Sequence, residues 1–260
     1  MAERSSPAIV YSVWRALFLH EAIHRFFGTR SAWVWLLLEP LVHIVFLMFL
    51  LTAVRMRLVV GIDTAVWAMV GLLAFFMFRR TAMRAMMAVE ANVSVFTYRQ
   101  LLPVDTVLVR AALEGFLMLL ISLVLFAGGW LYGLQLLPAD PLAVLGALFG
   151  LWLMGLGFAL VTSVATRLIG EAGEMIGMLM IPLYFISGVI FPLSRVPQPY
   201  QEWLLLNPVA HGLEAARLGF SPLYQAVSGM SLSYLFGFAL TLVFLGLALQ
   251  VRFALRMRAQ

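Results

Sequence analysis

The first residues that could do chemistry are HEAIH, His20 to His24. On a helix, His-Glu-x-x-His sets two imidazoles on one face, ready for zinc, with the glutamate as base. Taken alone, the motif points to a membrane-anchored zinc hydrolase. Such a centre also needs a third ligand and a shielded cavity. The remaining histidines, His43 and His211, fall within an apolar run and far beyond it. The hydrolase reading therefore ranks behind those that follow.

Two other constellations stand out. His211, Glu214 and Arg217 recur at i, i+3 and i+6, a spacing at which helical neighbours touch and could form one hydrogen-bonded ridge. Arg110 and Glu114 stand four apart near the start of an apolar run, where an intrahelical pair would lower the cost of burying both charges.

Composition removes much else. All 17 basic residues are arginine, because the chain has no lysine, and there are 0 cysteines. A phosphate-binding GxxxxGK(S/T) loop needs its lysine, and so does Schiff-base catalysis. Any ATP used must be bound by another subunit, and thiol nucleophiles and Cys-bound metals are excluded. No catalytic role, cofactor, metal or nucleic acid is expected of the chain itself.

The elements that must hold these residues are written in hydropathy. With 63% hydrophobic and 11% charged residues in 260, the chain is far more apolar than a soluble domain requires. A span needs about 20 apolar residues to cross about 30 Å of hydrocarbon. Six windows serve in a single all-α transmembrane domain: 33–54, 64–89, 111–131, 142–166, 175–191 and 232–251. The second meets Arg79 and Arg80 early, so it must tilt, snorkel or be sheltered by its neighbours.

Residues 1–30 carry Arg4, Arg15, Glu21, Arg25 and Arg30 without an uninterrupted apolar core, unlike a cleaved signal peptide. Ile9–Phe27 is expected to lie along the inner leaflet as an interfacial amphipathic helix, its stripe interrupted near Glu21 and His24. Arginine bias puts both termini inside, with 13 arginines in inner segments against Arg55, Arg57, Arg195 and Arg217 outside. GALFG, Gly146 to Gly150, has the GxxxG spacing that permits close helix contact and is read as ordinary packing.

Between spans two and three lies VEANVSVFTYRQLLPVDTVLVRAALE. Pro103 is expected to break the helix there and Asp105 to cap the next one near Thr106. Residues 95–108 then form a short surface helix, with Phe96 and Tyr98 packed, able to pass a push from an inner partner to the spans. Between spans five and six, Pro192, Pro197 and Pro199 end the fifth span, and Asn207-Pro208 starts a helix that Gly219 ends. Residues 192–225 thus read as external re-entrant helices, which lipid tolerates only where protein or a watery cavity covers their backbone.

The chain resembles the membrane subunit of the ATP-binding-cassette exporters of capsular polysaccharide, and more loosely their O-antigen and teichoic-acid relatives. The resemblance rests on HEAIHRFFGTRSAWVWLLLEP, the segment Val89 to Glu114, PLYFISGVIFPLSRVP and NPVAHGLEAAR. It is specific at Glu21, Arg25, Trp35, Glu39, Pro40, Glu90, Asn92, Tyr98, Arg99, Pro103, Asp105, Arg110, Glu114, Asn207, Pro208, His211 and Glu214.

The resemblance implies a homodimer with two copies of a cassette ATPase, which would hold ATP and Mg, together with a periplasm-spanning adaptor and an outer-membrane exporter. The substrate would be an acidic, lipid-linked polysaccharide. Phe96, Tyr98, Arg99, Pro103, Asp105, Arg110 and Glu114 would form the coupling region. Asn207, Pro208, His211, Glu214 and Arg217 would form an outer gate. Sugars stack on aromatic rings, so Trp33, Trp35, Phe46, Phe49, Tyr184 and Phe185 are the channel candidates. Arg25, Arg30, Arg79, Arg80 and Arg84 would draw an anionic polymer into an inner vestibule. Export of a simple lipid or a drug is the alternative within transport.

Overall fold

The computed structural model describes residues 7–27, 32–53, 61–97 and 101–259. Arg30, Tyr98 and Arg99 lie outside the described residues, as do the side chains of His24 and Trp33. Every regular element among those described is helical. In chain order they are α1 (Pro7–Phe27), α2 (Ala32–Ala53), α3 (Thr64–Met86), α4 (Ala88–Ala91), α5 (Pro103–Leu131), α6 (Pro141–Leu168), α7 (Ala172–Ile186), α8 (Tyr200–Leu204), α9 (Pro208–Phe220) and α10 (Leu232–Ala259), with 3-10 turns at Val93–Thr97 and Leu193–Arg195.

Among the described residues, four helices are long and apolar enough to cross a membrane: α3, α5, α6 and α10 over Leu232–Met257. Shorter apolar helices cover Leu38–Ala53 of α2 and Ala172–Ile186, the whole of α7. The 15 residues of α7 reach about 22 Å, short of the ~30 Å hydrocarbon layer. By hydropathy the fifth window extends to Phe191, with the prolines ending it. The helix instead stops at Ile186, because Gly188 takes φ +74°, a left-handed conformation that only glycine adopts freely.

The bundle is organised around α3. Its apolar window is 83% buried, against 17% for α10, so α3 is sheltered by protein while α10 faces outward. Phe75 and Phe78 of α3 are fully buried, and Leu151 of α6, Met118 of α5 and Leu213 of α9 pack into the same core, while Trp67 is buried in a neighbouring cluster with Tyr224. That shelter lets a helix carrying Arg79, Arg80 and Arg84 run the height of the bundle. A second core seats α1: Leu17 packs with Ala88, Phe96, Val107, Leu160 and Met257.

α6 makes the close approaches. A Cβ on Gly157 would sit 2.8 Å from Leu242 Cβ and 2.9 Å from the Val243 nitrogen of α10. A Cβ on Gly246 of α10 would collide with Leu160 and lie 3.1 Å from its carbonyl carbon. Of the GALFG pair, Gly150 meets Leu235 of α10, while Gly146 faces open space. The seam therefore uses Gly150, Gly157 and Gly246, and the GxxxG spacing is not what builds it. Gly219 likewise ends no helix: α9 runs on to Phe220, and Gly219 gives room to Val144 of α6.

The helix starts are set by side-chain oxygens. Asp63 Oδ1 accepts from the Ala65 and Val66 nitrogens at 2.8 and 3.3 Å, and Asn207 Oδ1 accepts from Val209 N at 3.0 Å. At α5 the expected start near Thr106 is corrected. Pro103 does not break a helix but opens one, since its missing N–H is unneeded in a first turn. Asp105 is therefore no N-cap. It sits in the first turn and reaches back, Oδ2 accepting from Leu102 N at 2.8 Å.

The glycine seam makes a direct prediction. Gly246→Ala forces α10 off the α6 backbone, costing about 1–3 kcal/mol of overpacking, whereas Gly237→Ala, with nothing near its Cβ position, is neutral. Melting of the two purified variants in one detergent measures the difference.

Candidate functional site

Charge enters this bundle at both ends of α3. At the arginine-rich end, Glu21 and Arg25 stand four apart on α1 and face Arg110 and Glu114, four apart on α5. They pair across the helices: Arg110 Nη2 donates to Glu21 Oε1 at 2.6 Å, and Arg25 Nη1 donates to Glu114 Oε1. The Arg110–Glu114 pair expected within α5 is thus replaced by two crossed pairs with α1. Each carboxylate also holds a third element. Asn92 Nδ2, just after α4, donates to Glu21 Oε1 at 2.8 Å, and Arg80 Nε of α3 donates to Glu114 Oε2 at 3.4 Å.

Glu21 is 5% and Glu114 0% exposed. Desolvating a carboxylate costs several kcal/mol, and the donors from Asn92, Arg110, Arg25 and Arg80 offset that cost. This explains the interrupted stripe of α1: Glu21 points inward to a partner. Within HEAIH, then, the Glu21 carboxylate is engaged by Asn92 and Arg110, and His20 is exposed. Trp14 Nε1 donates to Asp105 Oδ1 at 2.9 Å and adds a third tie between α1 and α5.

Beside this network lies a cavity of about 380 Å³, lined by Glu39, Pro40, His43, Phe76, Arg79, Arg80, Met83, Arg84, Met87 and Arg110. Three of the five vestibule arginines line it. Arg25 instead sits behind it on Glu114, and Arg110, assigned to coupling, joins the wall. Glu39 is the sole carboxylate among these lining residues. It lies 3.9 Å from Arg84, and both side chains are more than half exposed, so the pair is weak. Among the described residues Arg79 has no carboxylate partner within 4.0 Å, and the buried Arg110 Nε–H has no acceptor. Planar guanidinium forks suit carboxylate and phosphate oxygens, so these side chains are chemically able to hold an anion.

The other coupling residues turn inward. Phe96 is buried against Leu17, Ala88 and Val107, and Pro103, Asp105 and Glu114 are buried too. Exposed on the same stretch are Glu90, Ala91 and Ser94.

At the opposite end, His211, Glu214 and Arg217 are buried on α9, but they do not form one ridge. Arg217 Nη1 donates to Glu214 Oε1 at 3.2 Å and to the Gly188 carbonyl at 2.8 Å, while Nη2 reaches the Val189 carbonyl at 3.4 Å. Its guanidinium lies 3.8 Å from the centroid of Trp67, in space that a side chain on Gly71 would fill. Glu214 accepts from Tyr224 Oη at 2.9 Å and from Val227 N at 3.1 Å. Burial pushes the Tyr224 phenol up to about 12, so it stays a donor.

His211 breaks away from the pair. Its Nδ1 accepts from Ser231 N at 2.9 Å and its Nε2 lies 2.7 Å from the Leu205 carbonyl, the pattern of a neutral ring protonated at Nε2. The cluster clamps the ends of α7, α9 and α10 to α3. Sequence reasoning missed Trp67, Gly71 and Tyr224; a tryptophan and a glycine four apart on α3 were the available signal.

The channel candidates divide. Trp35, Phe46 and Phe49 are exposed on α2, and Phe185 is exposed on α7. Tyr184 packs edge-on against Phe75 at 5.0 Å and His43 at 6.3 Å, with its buried hydroxyl lacking a partner among the described residues.

Glu214→Gln tests the clamp. The amide turns a donor toward Arg217 or Val227 N, leaving a buried guanidinium uncompensated, at a cost of about 3–5 kcal/mol. A thermal melt of the purified variant should fall clearly below that of the parent protein.

Comparison with known proteins agrees with a membrane chain built of apolar helices. The ABC-2 type transporter family profile matches residues 13–221. The chain is 35% identical over 234 residues to the polysialic acid transport protein KpsM of Escherichia coli, covering 90% of each. It is 27% identical to the capsule polysaccharide export inner-membrane protein CtrC of Neisseria meningitidis serogroup B, over 83% of this chain and 81% of that one. It is 26% identical to the capsule polysaccharide export inner-membrane protein BexB of Haemophilus influenzae, over 96% and 94%. A multi-pass helical bundle matched over this much of its length by the profile belongs to the ABC-2 type transporter family of membrane proteins.

Proposed function

We propose that the chain is the permease subunit of an ATP-driven exporter that moves an acidic, lipid-linked capsular polysaccharide across the bacterial inner membrane. The observation that carries this reading is the cavity lined by Arg79, Arg80, Arg84 and Arg110, an anion site at the arginine-rich end of a membrane bundle. The relatives' names point the same way, since polysialic acid is a polymer of carboxylates.

In this reading α2 and α7 complete six spans, the arginine-rich end is cytoplasmic, and two copies enclose the channel. α7 spans with the help of the re-entrant α8 and α9, and α9 is held to α3 by the Arg217 clamp. That clamp serves as the outer gate's frame, and the neutral His211 ring ties it to α10. The exposed aromatic face of α2, Trp35, Phe46 and Phe49, lines the path with Tyr184 and Phe185. Sugars would slide there on ring faces without binding tightly.

A separate ATPase, holding ATP and Mg, docks on the stretch from α4 to Asp105. Its push reaches the spans through buried groups: Phe96 in the core beneath α1, and Asp105, Arg110 and Glu114 through their bonds. Pro103 fixes the start of α5. A periplasm-spanning adaptor and an outer-membrane exporter receive the polymer beyond the membrane.

The double variant Arg79→Gln, Arg84→Gln removes two wall cations that lack a strong internal partner, so folding survives while the anion loses its hold. Export of acidic capsule, measured in cells carrying the cognate ATPase, should fall by about tenfold or more, the worth of one charge-assisted contact or so. Wild-type export from this variant at normal protein level would defeat the assignment of the cavity.

A further inference from the structure

The anion cavity has a wall residue whose placement depends on a helix outside it. Arg110 enters the cavity from α5, yet its guanidinium is held by Glu21 of α1, which takes no part in the lining. Its own helix offers an alternative. Glu114 stands one turn along α5, the spacing at which an arginine and a glutamate ordinarily pair. Arg110 does not take it, because Glu114 is occupied by Arg25 and Arg80.

We infer that Glu21 is a positioning residue for the export substrate: it keeps Arg110 on the cavity wall and makes that cation depend on the seat of α1. The inference rests on the anion-binding reading of the cavity. Glu21 is itself a carboxylate near an anion site, so through space it opposes binding. Its contribution is orientation. With Glu21 neutral, Arg110 loses its anionic anchor while Glu114 stays occupied by Arg25 and Arg80, so the wall loses a fixed cation even though a negative charge has been removed. Asn92 shares the Glu21 carboxylate, so the stretch following α4 bears on the same cation.

The sign of the effect separates this from its rivals. Loss of Glu21 as an electrostatic competitor alone would tighten anion binding, and loss of a merely structural contact would leave affinity unchanged. Positioning requires binding to weaken. α1 keeps its other ties in the variant: Trp14 to Asp105, Arg25 to Glu114, and Leu17 in the core.

The experiment is calorimetric titration of trisialic acid into the full chain in phosphatidylcholine nanodiscs, with maltotriose as the neutral control. Glu21→Gln should weaken trisialic acid binding by about tenfold, the worth of one charged contact. Glu21→Asp, which keeps the charge at shorter reach, should recover part of the loss. Equal or tighter binding by Glu21→Gln overturns the inference. Should that variant not fold, Glu21→Asp decides: weaker binding than the parent supports positioning, and unchanged binding overturns it. Failure of the parent protein itself to prefer trisialic acid over maltotriose defeats the anion-cavity reading, a different result from parent binding that Glu21→Gln leaves intact.

Discussion

A guanidinium does not give up its proton, and that constraint governs this molecule. A lysine carried into an apolar bundle can shift its pKa and go neutral; an arginine must be met by carboxylates, carbonyls or aromatic faces. With 17 arginines and no lysine, the chain takes the second course wherever its cations leave water. Arg217 has Glu214, two carbonyls of the α7 end and the Trp67 face. Arg80 and Arg25 share Glu114, and Arg110 has Glu21. Four helices and the turn after α7 are placed by where these partners must stand.

The two ends of the bundle satisfy the constraint to different degrees. Around Arg217 the acceptors surround the cation, Arg217 and Glu214 are both fully buried, and the result is a clamp. Around the cavity the cations outnumber the carboxylates, and Glu39, more than half exposed, is a weak partner for Arg84. A surplus of fixed positive charge facing a cavity raises the local concentration of anions. Full compensation closes one cluster on itself, while partial compensation leaves the other with a surplus of positive charge among the described residues.

The helices were legible because long apolar runs leave little alternative in a chain this poor in charge, and Asn207-Pro208 announced α9 correctly. What was not legible was where charges find partners. The spacing of Arg110 and Glu114 invited a pair within α5, and only the approach of α1, 89 residues away in sequence, changes the answer. Arg217 likewise meets the Trp67 carbonyl across 150 residues. Local rules also misplaced ends. The apolar run after Ile186 hides a stop made by one left-handed glycine, and Asp105 caps from inside the first turn of α5 because Pro103 already occupies its start. The cavity was legible in Arg79, Arg80 and Arg84, but its acidic member and Arg110 came from helices that composition assigned elsewhere.

α3 joins the two ends as a rigid element. It carries Trp67 and Gly71 against Arg217 at one end and Arg79, Arg80 and Arg84 around the cavity at the other. From Gly71 to Arg80 the rise is only about 14 Å of continuous helix. Close packing on α6, where a Cβ on Gly155 would sit 2.7 Å from the Phe78 carbonyl, leaves this rod little room to bend between them. A displacement of α3 large enough to move Arg80 from Glu114 must therefore be absorbed at the Arg217 clamp, or by α9 and the α7 end moving with it. The arginines at the cavity and the carbonyls that hold Arg217 are thus mechanically one system, although no side chain connects them.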